Sequence, residues 1–191
     1  MAHPGGEQAD PAHVAAVVAA TTSAEPACGE VVVVSIDGRS GAGKSVLAAA
    51  VGSALGCPVV HVDDLCPGWD GLADAVTLLT EQVLEPLSQG RPAAYRQWDW
   101  MRDRTGRTVS VEPTSHLVVE GCGALVPPAE AYAAVRVWVQ APEELRKVRA
   151  LARDGAVYVP NWDRWAAQEE RLYAARCPRD RAHLVFSVGP T

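Results

Sequence analysis

The sequence predicts a three-layer α/β fold, a parallel sheet with helices on both faces. A glycine loop, GRSGAGKS, sits between the apolar run Val31–Ile36 and a segment of helical pattern. Short apolar runs of strand length then alternate with longer helical segments to the end of the chain. Two of those strands run into acids, Asp63-Asp64 and Glu120.

Taken in order, residues 1–10 are a polar Gly/Pro start, and Pro11–Thr21 reads as an Ala-rich helix closed by the turn Ser23–Pro26. Residues 1–26 thus form an N-terminal extension with a helix, and 27–191 form one domain. The first strand is Glu30–Ile36, a continuous apolar run of the kind buried on both faces. Gly43–Leu55 is the helix after the loop, ended by Gly56. Pro58–Val62 is a second strand running into Asp63-Asp64. Gly71–Ser88 is a helix with apolar positions at Leu72, Ala75, Leu78, Leu79, Val83 and Leu87. Residues 90–111 are polar and aromatic and hold a short antiparallel hairpin. His116–Glu120 is a strand stopped by Gly121, and Ala133–Gln140 is another. Pro142–Asp154 and Trp162–Arg176 are helices, and Leu184–Val188 is the last strand.

The loop matches the phosphate-binding pattern G-x-x-x-x-G-K-[ST] at Gly38, Gly43, Lys44 and Ser45. Glycines at 38, 41 and 43 let the backbone turn tightly and point N–H groups inward at phosphate oxygens. The following helix brings its positive end to the same place. Gly38, Arg39, Ser40, Gly41, Ala42, Gly43, Lys44 and Ser45 are therefore the expected nucleotide-binding residues. Lys44 reaches the terminal phosphates and the Ser45 hydroxyl ligates Mg²⁺.

Ligands of parallel sheets bind at the carboxyl ends of strands. Asp63 and Asp64 there are expected to meet the substrate, one of them orienting an acceptor hydroxyl and taking its proton while the other caps a helix or ligates water. Glu120 closes an apolar strand in the arrangement that holds Mg²⁺ directly or through water. Arg146, Arg149 and Arg153 share a helix face, and the helix stops at Arg153-Asp154-Gly155. Arg149 and Arg153 are read as lid residues that stabilise charge on the transferred phosphoryl group. Trp98, Asp99 and Trp100, with Trp69, are read as walls of an acceptor pocket that stack on a ring and accept from a hydroxyl. Trp138 is core, and Trp162 and Trp165 pack the last helix.

Gly38–Ser45, Val62–Leu65, Tyr95–Trp100, Val118–Gly121 and Arg149–Asp154 together resemble the uridine kinase-like branch of small P-loop kinases. That branch includes uridine-cytidine kinase, phosphoribulokinase and bacterial pantothenate kinase. The chain looks particularly like the uridine kinase-like ATP-binding proteins of actinobacteria, over residues 28–188. The resemblance implies a five-stranded parallel sheet in the order 2-3-1-4-5 with a short lid. It also implies Asp63 as base, Glu120 as the acid closing strand three, Arg149 and Arg153 as lid arginines, and Trp98-Asp99-Trp100 as part of a nucleoside pocket. Two departures fall on the acceptor side. Leu65 and Cys66 stand where uridine kinases carry an aromatic pair, and DGAVYVPNW follows Arg153 in place of a further Arg-rich segment.

The expected activity is transfer of the γ-phosphoryl group of ATP, with Mg²⁺, to a hydroxyl of a small molecule, nucleoside-like in kind. Two alternatives stay open: a phosphorylated or anionic acceptor, for which Arg91, Arg96, Arg102, Arg104 and Arg107 cluster, and a regulatory nucleotide-binding ATPase. With Lys44 and Lys147 as the two lysines, the chain lacks an N/T-K-x-D guanine motif. Its 191 residues suffice for one core, and 48% are hydrophobic. A net charge of −6 and no basic stripe argue against nucleic acid. No apolar run approaches a membrane span. Five scattered cysteines without a C-x-x-C fit reduced thiols and a cytoplasmic enzyme. Oligomeric state is not legible, and a homodimer is left open.

Overall fold

The computed structural model describes residues 8–174 and 176–189. The predicted polar start lies largely in residues 1–7, outside the described residues. The described elements run α1 (Pro11–Thr22), β1 (Val32–Asp37), α2 (Lys44–Leu55), β2 (Val59–His61), α3 (Val62–Leu65), α4 (Leu72–Leu79), α5 (Glu85–Ser88), β3 (Ala93–Asp99), β4 (Arg104–Val111), β5 (His116–Glu120), β6 (Val135–Gln140), α6 (Glu143–Tyr158), α7 (Trp162–Ala174) and β7 (Leu184–Ser187).

Five strands form a sheet in the order β2-β5-β1-β6-β7, and every pairing is parallel. Counted along the sheet's own strands, this is 2-3-1-4-5, as the resemblance implied. The register sets Val34 beside Val118 and Val135. All six β1 residues are buried because helices cover both faces. Val34, Ile36 and Val118 pack with Val17 of α1 and Leu47 and Val51 of α2. Val33, Leu117 and Val119 pack on the other side with Leu72 and Leu79 of α4 and Trp165 and Tyr173 of α7. The helix of the N-terminal extension thus belongs to the packed layers, with Val17 fully buried.

Local differences from the sequence reading have physical causes. The predicted helix Gly71–Ser88 is α-helical at both ends but widens to a π-turn over Thr80–Leu84. Pro86 lacks an N–H and its ring crowds the carbonyl one turn back, which a wider turn relieves. The second strand ends at His61, and Asp63 and Asp64 sit on the helical turn α3 rather than at the strand's tip. Residues 93–111 form the predicted hairpin, β3 against β4, with a bulge between Arg96 and Trp98. Trp98 and Asp99 therefore lie in a strand. Helix α6 is broken at Gly155, whose φ of 54° and ψ of −134° are not helical. That is where the sequence placed the helix stop.

Candidate active site

The loop between β1 and α2 curls as its glycines permit. Gly38, Gly41 and Gly43 have φ of 148°, 78° and 100°. A Cβ on Gly38 would lie 2.1 Å from the Val139 carbonyl, and one on Gly41 2.1 Å from the Arg146 carbonyl. The neighbouring backbone is too close for any larger residue. Ala42 is fully buried in the core, and Gly43 caps α2 in the left-handed conformation.

Lys44 is buried at the start of α2, and its Nζ donates to the Arg39 carbonyl at 3.2 Å. Burial works against its charge, but the acids Glu120, Asp63 and Glu169 around it outweigh that and raise its pKa. The Ser45 hydroxyl bonds Glu120, whose Oε1 also meets His61 Nδ1 at 2.5 Å. Burial pushes Glu120 up, yet the His61 bond, the Lys44 charge and Ser45 hold it below the usual carboxylate value. His61 is raised, first by its bond to Glu120. Among the described residues no group of three His, Cys, Asp or Glu side chains is set to hold a metal alone. A hydroxyl and a carboxylate beside a phosphate cradle nevertheless suit Mg²⁺, which keeps waters and takes other ligands from phosphates.

Beyond Ser45 the loop opens into a cleft of ≈ 550 Å³. Asp63 lies on its floor, open to the cleft's water. The enclosing walls and the neighbouring Glu120 push its carboxyl up to about 6, against the pull of Lys44, Arg153 and His61. Asp64 accepts from Gln97 Nε2 at 2.9 Å, and Gln97 Oε1 accepts from Arg107 at 2.9 Å. Trp69, Trp98, Asp99, Trp100, Tyr158 and Trp165 line the same cleft. Trp69 meets Trp100 edge-on at 4.8 Å and stacks on Tyr158 at 5.3 Å. Trp100 Nε1 donates to the Asp63 carbonyl at 3.1 Å, which ties this aromatic wall to the turn carrying Asp63. Asp99 is partly taken up by Arg102 at 2.8 Å. The indole N–H of Trp98 is buried without a partner.

The expected lid arginines part company. Arg153 lines the cleft beside Asp63, paired with Asp154 at 2.6 Å. Arg149 is not among the cleft-lining residues; its Nη2 donates to the Gly189 carbonyl at 3.4 Å. Arg146, the third on that face, is buried and reaches the Ser40 carbonyl at 3.2 Å.

Several site residues escaped the sequence reading. Asp37, fully buried at the end of β1, accepts from the N–H groups of Gly38, Gly123 and Leu125 and from the Tyr173 hydroxyl. Burial raises its pKa despite these bonds. An acid closing a wholly apolar run just before Gly38 was the available signal. Glu169, 1% exposed, accepts from the Ser40 N–H at 2.8 Å and the Trp165 indole at 3.0 Å. Tyr158, the Cys122 thiol and His61 also went unread. Trp165, expected only to pack, is buried and lines the cleft as well.

Sheet order, glycine loop and site geometry together define the P-loop kinase fold. Solved structures carry the same fold. A protein described as a possible uridine kinase from Bacillus stearothermophilus aligns with a TM-score of 0.67 and 20% identity, over 92% of this chain and 97% of that one. A candidate fructose transport system kinase from Silicibacter sp. TM1040 aligns with a TM-score of 0.51 and 22% identity, over 82% and 89%. No family model and no curated protein matches the chain. Among the described residues no helix is long and apolar enough to cross a membrane.

Proposed function

We propose that the protein is an ATP-dependent phosphotransferase that moves the γ-phosphoryl group to a hydroxyl of a small ring-bearing molecule, nucleoside-like in shape. The observation that carries this reading is Asp63. It lies between the phosphate loop and an aromatic cleft, with a carboxyl tuned to about 6. A base is most useful when its pKa lies near the working pH. The kinase fold shared with the solved structures supports the class of reaction.

In this reading the loop amides and Lys44 gather the phosphate charge. Ser45 and Glu120 are the residues that would hold Mg²⁺, which would supply positive charge at the terminal phosphates. Asp63 aligns the acceptor hydroxyl and takes its proton. Trp69, Trp98, Trp100 and Tyr158 enclose the acceptor ring, and Arg153 meets the charge that develops on the transferred group. Closing of α6 about Gly155 excludes water and suppresses hydrolysis.

An anionic acceptor is less well supported. Arg91 is bonded to Gln89, Arg96 to the Gly106 carbonyl and Arg102 to Asp99. Of the five arginines, Arg107 lines the cleft and donates to Gln97 Oε1 at 2.9 Å, while Arg91, Arg96, Arg102 and Arg104 do not line it; five carboxylates do, those of Asp63, Asp64, Asp99, Glu120 and Asp154. A panel of nucleosides, sugars, pantothenate and nucleoside monophosphates, read as ADP release over a no-acceptor control, tests the reading. Stimulation by neutral hydroxyl compounds supports it. Stimulation by monophosphates alone, or none at all over a brisk ATPase rate, overturns it.

A further inference from the structure

The two peptide groups flanking Ser40, in the middle of the phosphate loop, are gripped from the side of α6 and α7. Glu169 of α7 accepts the Ser40 N–H at 2.8 Å. Arg146 of α6 donates to the Ser40 carbonyl at 3.2 Å. Tyr158, where α6 ends beyond the Gly155 break, bonds the Ser40 side chain. Packing is close on this side too, since the Arg146 carbonyl leaves no room for a Cβ on Gly41. These helices also wall the acceptor cleft, through Arg153, Tyr158 and Trp165, and the Trp165 indole donates to the same Glu169 oxygen.

The charge of Glu169 is only partly offset, by Arg39, whose Nη1 lies 4.0 Å from Oε2, and by Lys44. A buried carboxylate beside a loop that binds a triphosphate repels the ligand. It also occupies one N–H of the loop. Its geometry offers a better account: it fixes the orientation of a peptide whose neighbours must point their N–H groups at phosphate.

We propose that Glu169 and Arg146 are positioning residues that clamp the two peptide groups flanking Ser40 between α7 and α6, so that these helices set the shape of the phosphate loop. Trp165 extends the clamp to the acceptor cleft, because it touches both the cleft and Glu169. The inference rests on the nucleotide-binding reading of the loop.

Charge and geometry predict opposite signs, which makes the test decisive. Affinity for ATP with Mg²⁺ is measured by calorimetry on the wild type, Glu169→Gln, Glu169→Ala and Arg146→Met, with the melting temperature of each. Glu169→Gln keeps an accepting oxygen and loses the charge; it is expected to bind ATP as well as the wild type or a few-fold tighter. Glu169→Ala also loses the charge but frees the Ser40 N–H; it is expected to bind about 10-fold weaker. Were Glu169 only a repelling charge, both variants would bind tighter. Were it only a fold-stabilising residue, the melting temperature would fall while the folded protein bound ATP normally. Either result overturns the clamp. Should Glu169→Ala not fold, Arg146→Met decides: weakening of about 5-fold or more supports the clamp, and wild-type affinity overturns it. No ATP binding by the wild type would overturn the functional reading and the clamp together, whereas equal binding by all four proteins overturns the clamp alone.

Discussion

Replacing Asp63 by Asn should make the protein more stable and disable it at once. In the folded protein the Asp63 carboxyl sits at about 6, above its ordinary 3.8, so the charged form is disfavoured by folding. A group with a raised folded pKa binds its proton more tightly when folded. Its charge therefore costs stability at neutral pH, and that cost shrinks as the pH falls from about 6 and is gone below the ordinary value of 3.8. The rise from 3.8 corresponds to at most about 3 kcal/mol. Because the carboxyl meets the cleft's water, screening reduces this to about 1 kcal/mol. For a chain of this length that is a gain of about 2–4 °C in melting temperature. Melting curves at pH 7.5 should show this gain, the gap should narrow as the pH falls below about 6, and it should close only below about 3.8, where the carboxyl is protonated in the unfolded chain as well. Acceptor-dependent ADP release should drop about 10²- to 10⁴-fold, the usual contribution of a positioned base. ATP affinity should stay within about 3-fold, as Asp63 lies on the acceptor side. A variant less stable than the wild type at pH 7.5, or one with near-full transfer, would refute the reasoning.

Other residues give equally direct expectations. Wild-type kcat/KM should fall as the pH drops below about 6, where Asp63 takes up its proton; a profile flat to pH 4.5 would exclude Asp63 as the base. Lys44→Ala should cripple turnover in a steady-state assay, and unchanged turnover would refute the loop's role. Asp37→Ala leaves three N–H groups and the Tyr173 hydroxyl without their buried acceptor. It should lower the melting temperature by about 10 °C or more, as each buried donor left unsatisfied costs about 1–3 kcal/mol. Gly41→Ala places a Cβ 2.1 Å from the Arg146 carbonyl at a φ of +78°, so calorimetry should find ATP binding weakened even where circular dichroism shows a folded protein.

Features that act locally were legible in the sequence. The glycine loop needs a strand before it and a helix after it, so Val31–Leu55 could be placed from residue types alone. The strands followed from their apolar runs, and the hairpin of 90–111 was legible, though not that Trp98 and Asp99, which line the cleft, belong to its first strand. Asp63 could be singled out as a candidate base from the strand before it, and it lines the cleft; its helical turn was not legible, because three residues of strand and four of helix leave little periodic signal. What failed was long-range. Glu169 stands 129 positions from Ser40, in a helix whose charged pattern, QEER, reads as a solvated face. Only the packing of α7 against the loop turns that glutamate inward. Arg149 and Arg153 share one helix face, but the break at Gly155 and the course of the last strand decide which of them meets the cleft. Helical spacing carries no information about that.

In the proposed reaction the γ-phosphoryl group goes to a hydroxyl and not to water, with Asp63 as base. Its most direct test follows the phosphorus of ATP by ³¹P NMR in the presence of the acceptor panel, with wild-type protein and Asp63→Asn side by side. The account predicts a phosphomonoester signal on an acceptor with the wild type and its loss in the variant. Inorganic phosphate as the only product, formed at the same rate by both proteins and with or without acceptors, would contradict it.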